Sequence, residues 1–395
     1  MELVRGRRSK LRKNLVLLGA TGSIGTSTLD IVGRFPDRFH MVAMSAGKNV
    51  RLALEQALRF RPRLLSVMRR EDAEWLSARV PDSIRVLHGD AGLMEVALIE
   101  EADLLISALV GAVGLKPTFE AIRAGRHIAL ANKETLVMAG DLVMNEARKR
   151  QVSIFPVDSE HSAILHCMMG HQQNEIRRIL LTASGGPFLR TSKSRMKDIR
   201  PEDALVHPTW KMGSKITVDS STLMNKGLEA IEAKWLFGLP IDAIDVHIHP
   251  QSIVHSLVEF CDGSVVAHLG LPDMRIPIAF ALSYPERLNL MLPALDLFEV
   301  GKLSFEKPDF DRFPCLGLAL EAGRNGDSMA AVLNAANETA VALFLESRIR
   351  FTDIAGVIAD TMAKHDPRPL HEISEVLEVD RWAREAAFLT ARKKD

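Results

Sequence analysis

The chain has 395 residues, 47% of them apolar, which at about 150 residues per domain is enough for two or three domains with buried cores and argues against disorder. Lys and Arg number 50 and Asp and Glu number 50, so the formal charge is zero and no global field favours nucleic acid or an anionic membrane; any anionic partner must be met by a local site. Three widely spaced cysteines, Cys167, Cys261 and Cys315, match neither a disulfide framework nor a zinc knuckle and point to the reducing cytoplasm, while the longest uncharged apolar stretch, Leu104 to Leu115, is too short to span a bilayer.

The basic segment Met1 to Lys13 reads as a solvated leader; a transit peptide is the alternative, for which it is short and carries Glu2. From Asn14 to about Val157, aliphatic and β-branched runs alternate with amphipathic helical stretches. Strands are expected at 14–18, 39–45, 64–67, 85–88, 104–107, 127–130 and 153–155, the pattern of β-α-β units in a Rossmann-like, doubly wound parallel sheet. The first strand ends in Gly19-Ala20-Thr21-Gly22-Ser23-Ile24-Gly25 and runs directly into a helical period. Glycine there lets backbone N–H groups and the positive helix end approach a pyrophosphate. The GxxGxxG spacing is weak by itself; its place after the first strand strengthens it. The second strand ends in Ser45-Ala46-Gly47-Lys48-Asn49-Val50-Arg51, with no carboxylate between Arg38 and Glu55 to hold a ribose 2′-hydroxyl. Lys48 and Arg51 can instead neutralise a 2′-phosphate, so NADP is expected over NAD.

Asp158, Ser159 and Glu160 follow an apolar strand-like run, and in extended chain an i, i+2 spacing puts both acids on one side. A hard divalent cation would remove their repulsion, although such a string is also common on solvated loops. Glycine, proline, serine and histidine then crowd the stretch from Ser184 to Asp219. Beyond it, Ser220-Ser221-Thr222 precede a helix that carries Asn225, Lys226, Glu229 and Glu232. This run is either an anion site or a plain helix cap followed by a solvated charged face. Strands recur at 246–249, 254–260 and 264–269, completing an α+β middle domain. The prolines at 285, 293 and 308 mark an extended linker. Helical periods at 315–345 and 351–362, with a last helix near 380–392, read as a small helical domain. The expected division is a nucleotide domain over 1–157, a catalytic domain over 158–284 with a flap at 184–214, a linker over 285–313 and a helical domain over 314–395.

Taken together, GATGSIG at 19–25, AGKNV at 46–50, ANKETLV at 131–137, PVDSEHSA at 156–163, TASGGPF at 182–188, HPTWKMG at 207–213, VDSSTLMNKGLEAIEAKWLF at 218–237 and IHPQSIVHSLVEF at 248–260 resemble the 1-deoxy-D-xylulose 5-phosphate reductoisomerase family. The resemblance implies NADPH- and metal-dependent rearrangement and reduction of 1-deoxy-D-xylulose 5-phosphate to 2-C-methyl-D-erythritol 4-phosphate, in the non-mevalonate isoprenoid precursor pathway, by a homodimer. It implies Asp158, Glu160 and Glu229 as ligands of Mn2+, Mg2+ or Co2+, with Lys133 and Ser159 touching the substrate beside the ion. Ser184, His207, Ser220, Asn225 and Lys226 would bind the substrate backbone and phosphate. Thr21, Gly22, Ser23, Ile24, Gly47, Lys48, Asn49, Asn132, Glu134 and Gly213 would line the NADPH. Trp210 and Met212 would sit on a flap that closes over the site and excludes water. The chain departs from the family pattern at Thr135, Thr209 and Lys211, none of them an implied ligand. Read without the resemblance, the same residues also suit another NADP-linked polyol phosphate dehydrogenase or a nucleotide-sensing protein.

Overall fold

The computed structural model describes residues 12–206, 210 and 212–392. By its internal contacts the chain divides into two compact units, one of residues 1–132, 145–162 and 273–292, the other of residues 133–144, 163–272 and 293–395.

The first unit is built on a seven-stranded sheet of β1 (Lys13–Leu18), β2 (Phe39–Ser45), β3 (Leu64–Val67), β4 (Arg85–His88), β5 (Leu104–Ser107), β6 (His127–Leu130) and β7 (Ile154–Pro156). Its order is β4-β3-β2-β1-β5-β6-β7, with every pairing parallel. All seven strands fall within a residue of the positions expected from periodicity. The reason is burial on both faces: Leu15, Val16, Leu17 and Leu18 are each 0% exposed, so the central strands are continuous aliphatic runs. The strand order reverses beside β1, which places the glycine turn at the switch point of the sheet. The helix Arg275–Ser283 also belongs to this unit, and its Ile278, Ala279, Ala281 and Leu282 enter the same core as Leu15 and Leu29.

The second unit holds a four-stranded sheet ordered β11-β10-β8-β9, from β8 (Ile176–Ala183), β9 (Ile244–Ile248), β10 (Val254–Phe260) and β11 (Val265–Leu269). The last three match expectation; β8 is an addition, and it is an inner strand of the sheet. Arg177 and Arg178 interrupt its apolar run, and only tertiary structure supplies their partners: Arg178 pairs with Glu259 on β10 and Asp245 on β9. The helices Pro314–Asn325, Met329–Leu345, Asp353–Met362 and Ile373–Ala391 complete the unit. The single helical period read over 315–345 is thus two helices, parted where Gly326 and Asp327 take positive φ values of 69° and 47°. The last helix starts at Ile373 rather than near 380, fixed by a capping box between Glu372 and Glu375. Between 293 and 313 the chain has little regular secondary structure apart from the short helix Leu297–Val300 and a bridge from Glu306 to Ile248. No helix among the described residues is long and apolar enough to cross a membrane.

Candidate active site

In the first unit, β1 passes through the glycine turn into the helix Ser23–Arg34. Gly19 has φ +93°, and a Cβ there would lie 2.5 Å from the Ala108 carbonyl oxygen. At Gly25 a Cβ would meet the Gly19 and Ala20 carbonyl oxygens at 2.2 and 2.5 Å, so only glycine lets the helix seat on the turn. The helical ladder begins with Thr26 N–H donating to Gly22 at 2.9 Å, leaving the N–H groups of Ser23, Ile24 and Gly25 ahead of it, and the first turn carries no acid. That is a fit for a pyrophosphate. The Thr21 hydroxyl accepts from Gly47 N–H at 3.3 Å, tying this turn to the end of β2. Lys48 is exposed beside it; Asn49 caps the next helix by accepting from Leu52 N–H. Asn132, 1% exposed, donates to the carbonyls of Leu109 and Gly111 and so fixes the loop after β5.

The acidic string lies where β7 gives way to the helix Ser159–Met168. Asp158 takes the cap position, its carbonyl accepting from Ser162 N–H at 2.9 Å, and Glu160 is in the first helical turn. The extended-chain reason for pairing the two acids is therefore corrected: a helix N-terminus brings them together. One carboxylate oxygen of each lies within 4.8 Å of the other, and Ser159 Oγ donates to Glu160 Oε2 at 2.6 Å. Two hard anionic donors so close, in a partly buried position, suit a hard divalent cation.

In the second unit, Lys133 Nζ donates to Asn225 Oδ1 at 2.9 Å and to Glu229 Oε1 at 3.0 Å. Lys226 Nζ and Asn225 Nδ2 donate to the same carboxylate from within the helix Met224–Phe237. Lys133, Lys226 and Glu229 are 5%, 4% and 1% exposed, and Glu232 is 0%, which rules out a solvated charged face. Two ammonium groups and an amide thus converge on the Glu229 carboxylate in a largely buried place, and N–H donors gathered in this way suit the oxygens of an anionic ligand. The cap reading holds only for Thr222, whose Oγ1 accepts from Met224 N–H at 3.3 Å: Ser220 and Ser221 end the preceding helix Ser214–Ser221, and the next helix starts from Leu223 in the left-handed region at φ 59°.

Glu134, 6% exposed, opens the helix 134–150 and pairs with Lys215 Nζ at 2.8 Å. Burial pushes its carboxyl up, but the Lys215 ammonium pulls it below the ordinary carboxylate range. Lys215 also meets Asp219 Oδ2 at 2.8 Å. The sequence reading passed over Lys215; its one local signal is the i, i+4 spacing to Asp219. Within the flap stretch, Gly185 and Gly186 have positive φ and Ser184 Oγ accepts from Gly186 N–H at 3.2 Å. Trp210 and Met212 are half-buried, with the Trp210 ring 6.4 Å from that of His255, and Gly213 caps the helix Ser214–Ser221. His207, Thr209 and Lys211 lie outside the described residues.

Comparison with known proteins gives one consistent answer. The family model described as 1-deoxy-D-xylulose 5-phosphate reductoisomerase matches residues 15–140, and the two models of its C-terminal domains match 154–237 and 269–386. A 1-deoxy-D-xylulose 5-phosphate reductoisomerase of Chlorobaculum tepidum is 53% identical over 376 residues, 95% of this chain and 98% of the relative. Its counterpart from Geobacter sp. strain M21 shows the same identity and coverage. Among solved structures, the Zymomonas mobilis enzyme in complex with NADPH superposes with a TM-score of 0.90 at 41% identity, covering 96% of this chain and 99% of that one. A reductoisomerase in complex with NADPH, fosmidomycin and magnesium gives 0.91 at 43% identity, over 96% and 98% of the two chains.

Proposed function

Because this chain belongs to the 1-deoxy-D-xylulose 5-phosphate reductoisomerase family, we infer that it converts 1-deoxy-D-xylulose 5-phosphate to 2-C-methyl-D-erythritol 4-phosphate with NADPH and a divalent metal. The observation that carries the reading is the polar cluster of buried Lys133, Lys226 and Glu229 with half-buried Asn225, ionic groups for which a hydrophobic core has no use. Asp158, Glu160 and Glu229 hold the ion; all are oxygen donors of the kind Mg2+, Mn2+ or Co2+ takes. When bound, the metal supplies Lewis-acid polarisation of the substrate oxygens and NADPH supplies the reducing equivalents.

The protein's own residues supply geometry. Lys226 and Asn225 bind the phosphate with Ser184, Ser220 and His207, while Lys133 and Ser159 orient the substrate carbons next to the ion. Residues 21–24 receive the pyrophosphate, 47–49 the ribose phosphate, and Asn132, Glu134 and Gly213 the rest of the cofactor. Trp210 and Met212 cover the substrate and exclude water. The division into nucleotide, catalytic and helical domains is proposed at 1–157, 158–284 and 314–395, except that the helix Arg275–Ser283 goes with the core of the first unit. The enzyme works as a homodimer through its middle domain, a reading supported by the edge strand β11, whose Val265 and Val266 are 47% and 38% exposed. Its compartment is the cytoplasm, in keeping with three cysteines that form no disulfide.

The test is NADPH consumption with 1-deoxy-D-xylulose 5-phosphate, before and after EDTA and again after Mn2+. Consumption should stop with EDTA and return with Mn2+, and NMR of the product should show a branched skeleton. An unbranched polyol phosphate would instead identify a simple dehydrogenase.

A further inference from the structure

Resting on the function just given, we propose that Lys215 is a positioning residue for Lys133, clamping the peptide that carries it to the root of the flap. Lys215 stands in the first turn of the helix Ser214–Ser221, directly after Met212 and Gly213. Its ammonium lies 2.8 Å from Glu134 Oε1 and 2.8 Å from Asp219 Oδ2, carboxylates whose side chains are 8% and 2% exposed. Burial works against its charge, yet Asp219 and Glu134 raise it above an ordinary lysine, so the ammonium is permanent. Asn337 donates to the other Asp219 oxygen at 2.9 Å. Glu338, which adds to the field at Lys215, is itself held by Arg384 and Asn334. Polar contacts thus run from Glu134 through Lys215 and Asp219 to Asn337 on the helix Met329–Leu345.

A buried ion pair is weak evidence for stability, because desolvation offsets most of its attraction; its better use is to fix one arrangement of the chain. Here the arrangement at stake is that of Lys133. Its tip is fixed by Asn225 and Glu229, and the next residue, Glu134, is fixed by Lys215. The helix that Glu134 opens is interrupted at Ala139, with φ −142° and ψ 32°, so its first turn is not held in place by a continuous helical ladder. Leu136 and Val137 N–H close that turn on the Lys133 carbonyl, and the Lys215 clamp anchors its first residue from outside the helix.

The experiment compares Lys215→Met, Lys215→Gln and Lys215→Arg in the full-length enzyme with Mn2+, with kcat expressed per NADPH-binding site counted by fluorescence titration. Displacing Lys133 by a fraction of an ångström should lower kcat per site about a hundredfold in the neutral variants, leave KM for the ketose phosphate within about threefold, and enlarge the primary isotope effect from deuterated NADPH. Lys215→Arg, which keeps the charge, should return most of the activity. Neutral variants with wild-type kcat per site would overturn the proposal. So would failure of both to fold beside a fully active Lys215→Arg, which assigns Lys215 to stability alone. Absence of metal-dependent NADPH oxidation in the unaltered enzyme would instead sink the functional reading beneath it.

Discussion

At the scale of single residues, charge balance decides what each group does. Asp158 and Glu160 crowd one another, so Asp158→Asn should relieve repulsion in the free protein while removing a ligand. We expect Mn2+ affinity, measured by calorimetry, to fall about tenfold or more; unchanged affinity would remove Asp158 from the ligand set. Lys226 is a buried ammonium donor, and Lys226→Met should raise KM for the ketose phosphate about tenfold or more, the worth of one charge-assisted hydrogen bond. His255 is buried on β10, and burial, with a further push from His268, lowers it to about 4. Its folded value lies below its unfolded value of 6.5, so the unfolded chain binds the proton first and stability is lost as pH falls from about 6.5 towards 4. The apparent Tm of His255→Gln should fall less over that window than the wild type's; parallel curves would contradict the assignment. Which residues can be read from sequence follows from distance along the chain. The glycine turn and the two acids of 158–160 are local and legible, though the acids meet at a helix start rather than in extended chain. Lys215 and Glu134 are 81 positions apart, and nothing in either segment announces the other.

At the scale of elements, the helix after the glycine turn depends on close approach of backbone to backbone. Gly25→Ala puts a methyl 2.2 Å from the Gly19 carbonyl oxygen, which cannot rotate away as a side chain could. Expelling the helix from its seat should cost about 1–3 kcal/mol and abolish tight NADPH binding, measurable by fluorescence titration against retained secondary structure. Retained affinity would show that the turn does not hold the pyrophosphate. The strands of the first sheet were legible because both of their faces are buried, which leaves an unbroken aliphatic signal. In β8 that signal is broken by Arg177 and Arg178, whose neutralising acids come from distant segments. Helix ends were less legible for a related reason. The break at Gly326 and Asp327 is a backbone conformation, and the stretch on either side of it is apolar enough to look continuous.

At the scale of the whole molecule, β11 leaves an edge with exposed valines, which a solitary chain would tend to blunt with charge. If the proposed homodimer forms along this edge, sedimentation velocity should find the unaltered chain dimeric and Val266→Asp monomeric; a dimer untouched by that change would move the interface elsewhere. The proposed ion site draws its donors, Asp158, Glu160 and Glu229, from separated stretches of the chain. The most direct test is anomalous diffraction at the manganese edge from crystals grown with Mn2+ and NADPH. The account predicts one peak per chain, about 2.0–2.3 Å from carboxylate oxygens of Asp158, Glu160 and Glu229 together. A peak bound by other residues, or one that Glu229 does not reach, would contradict it.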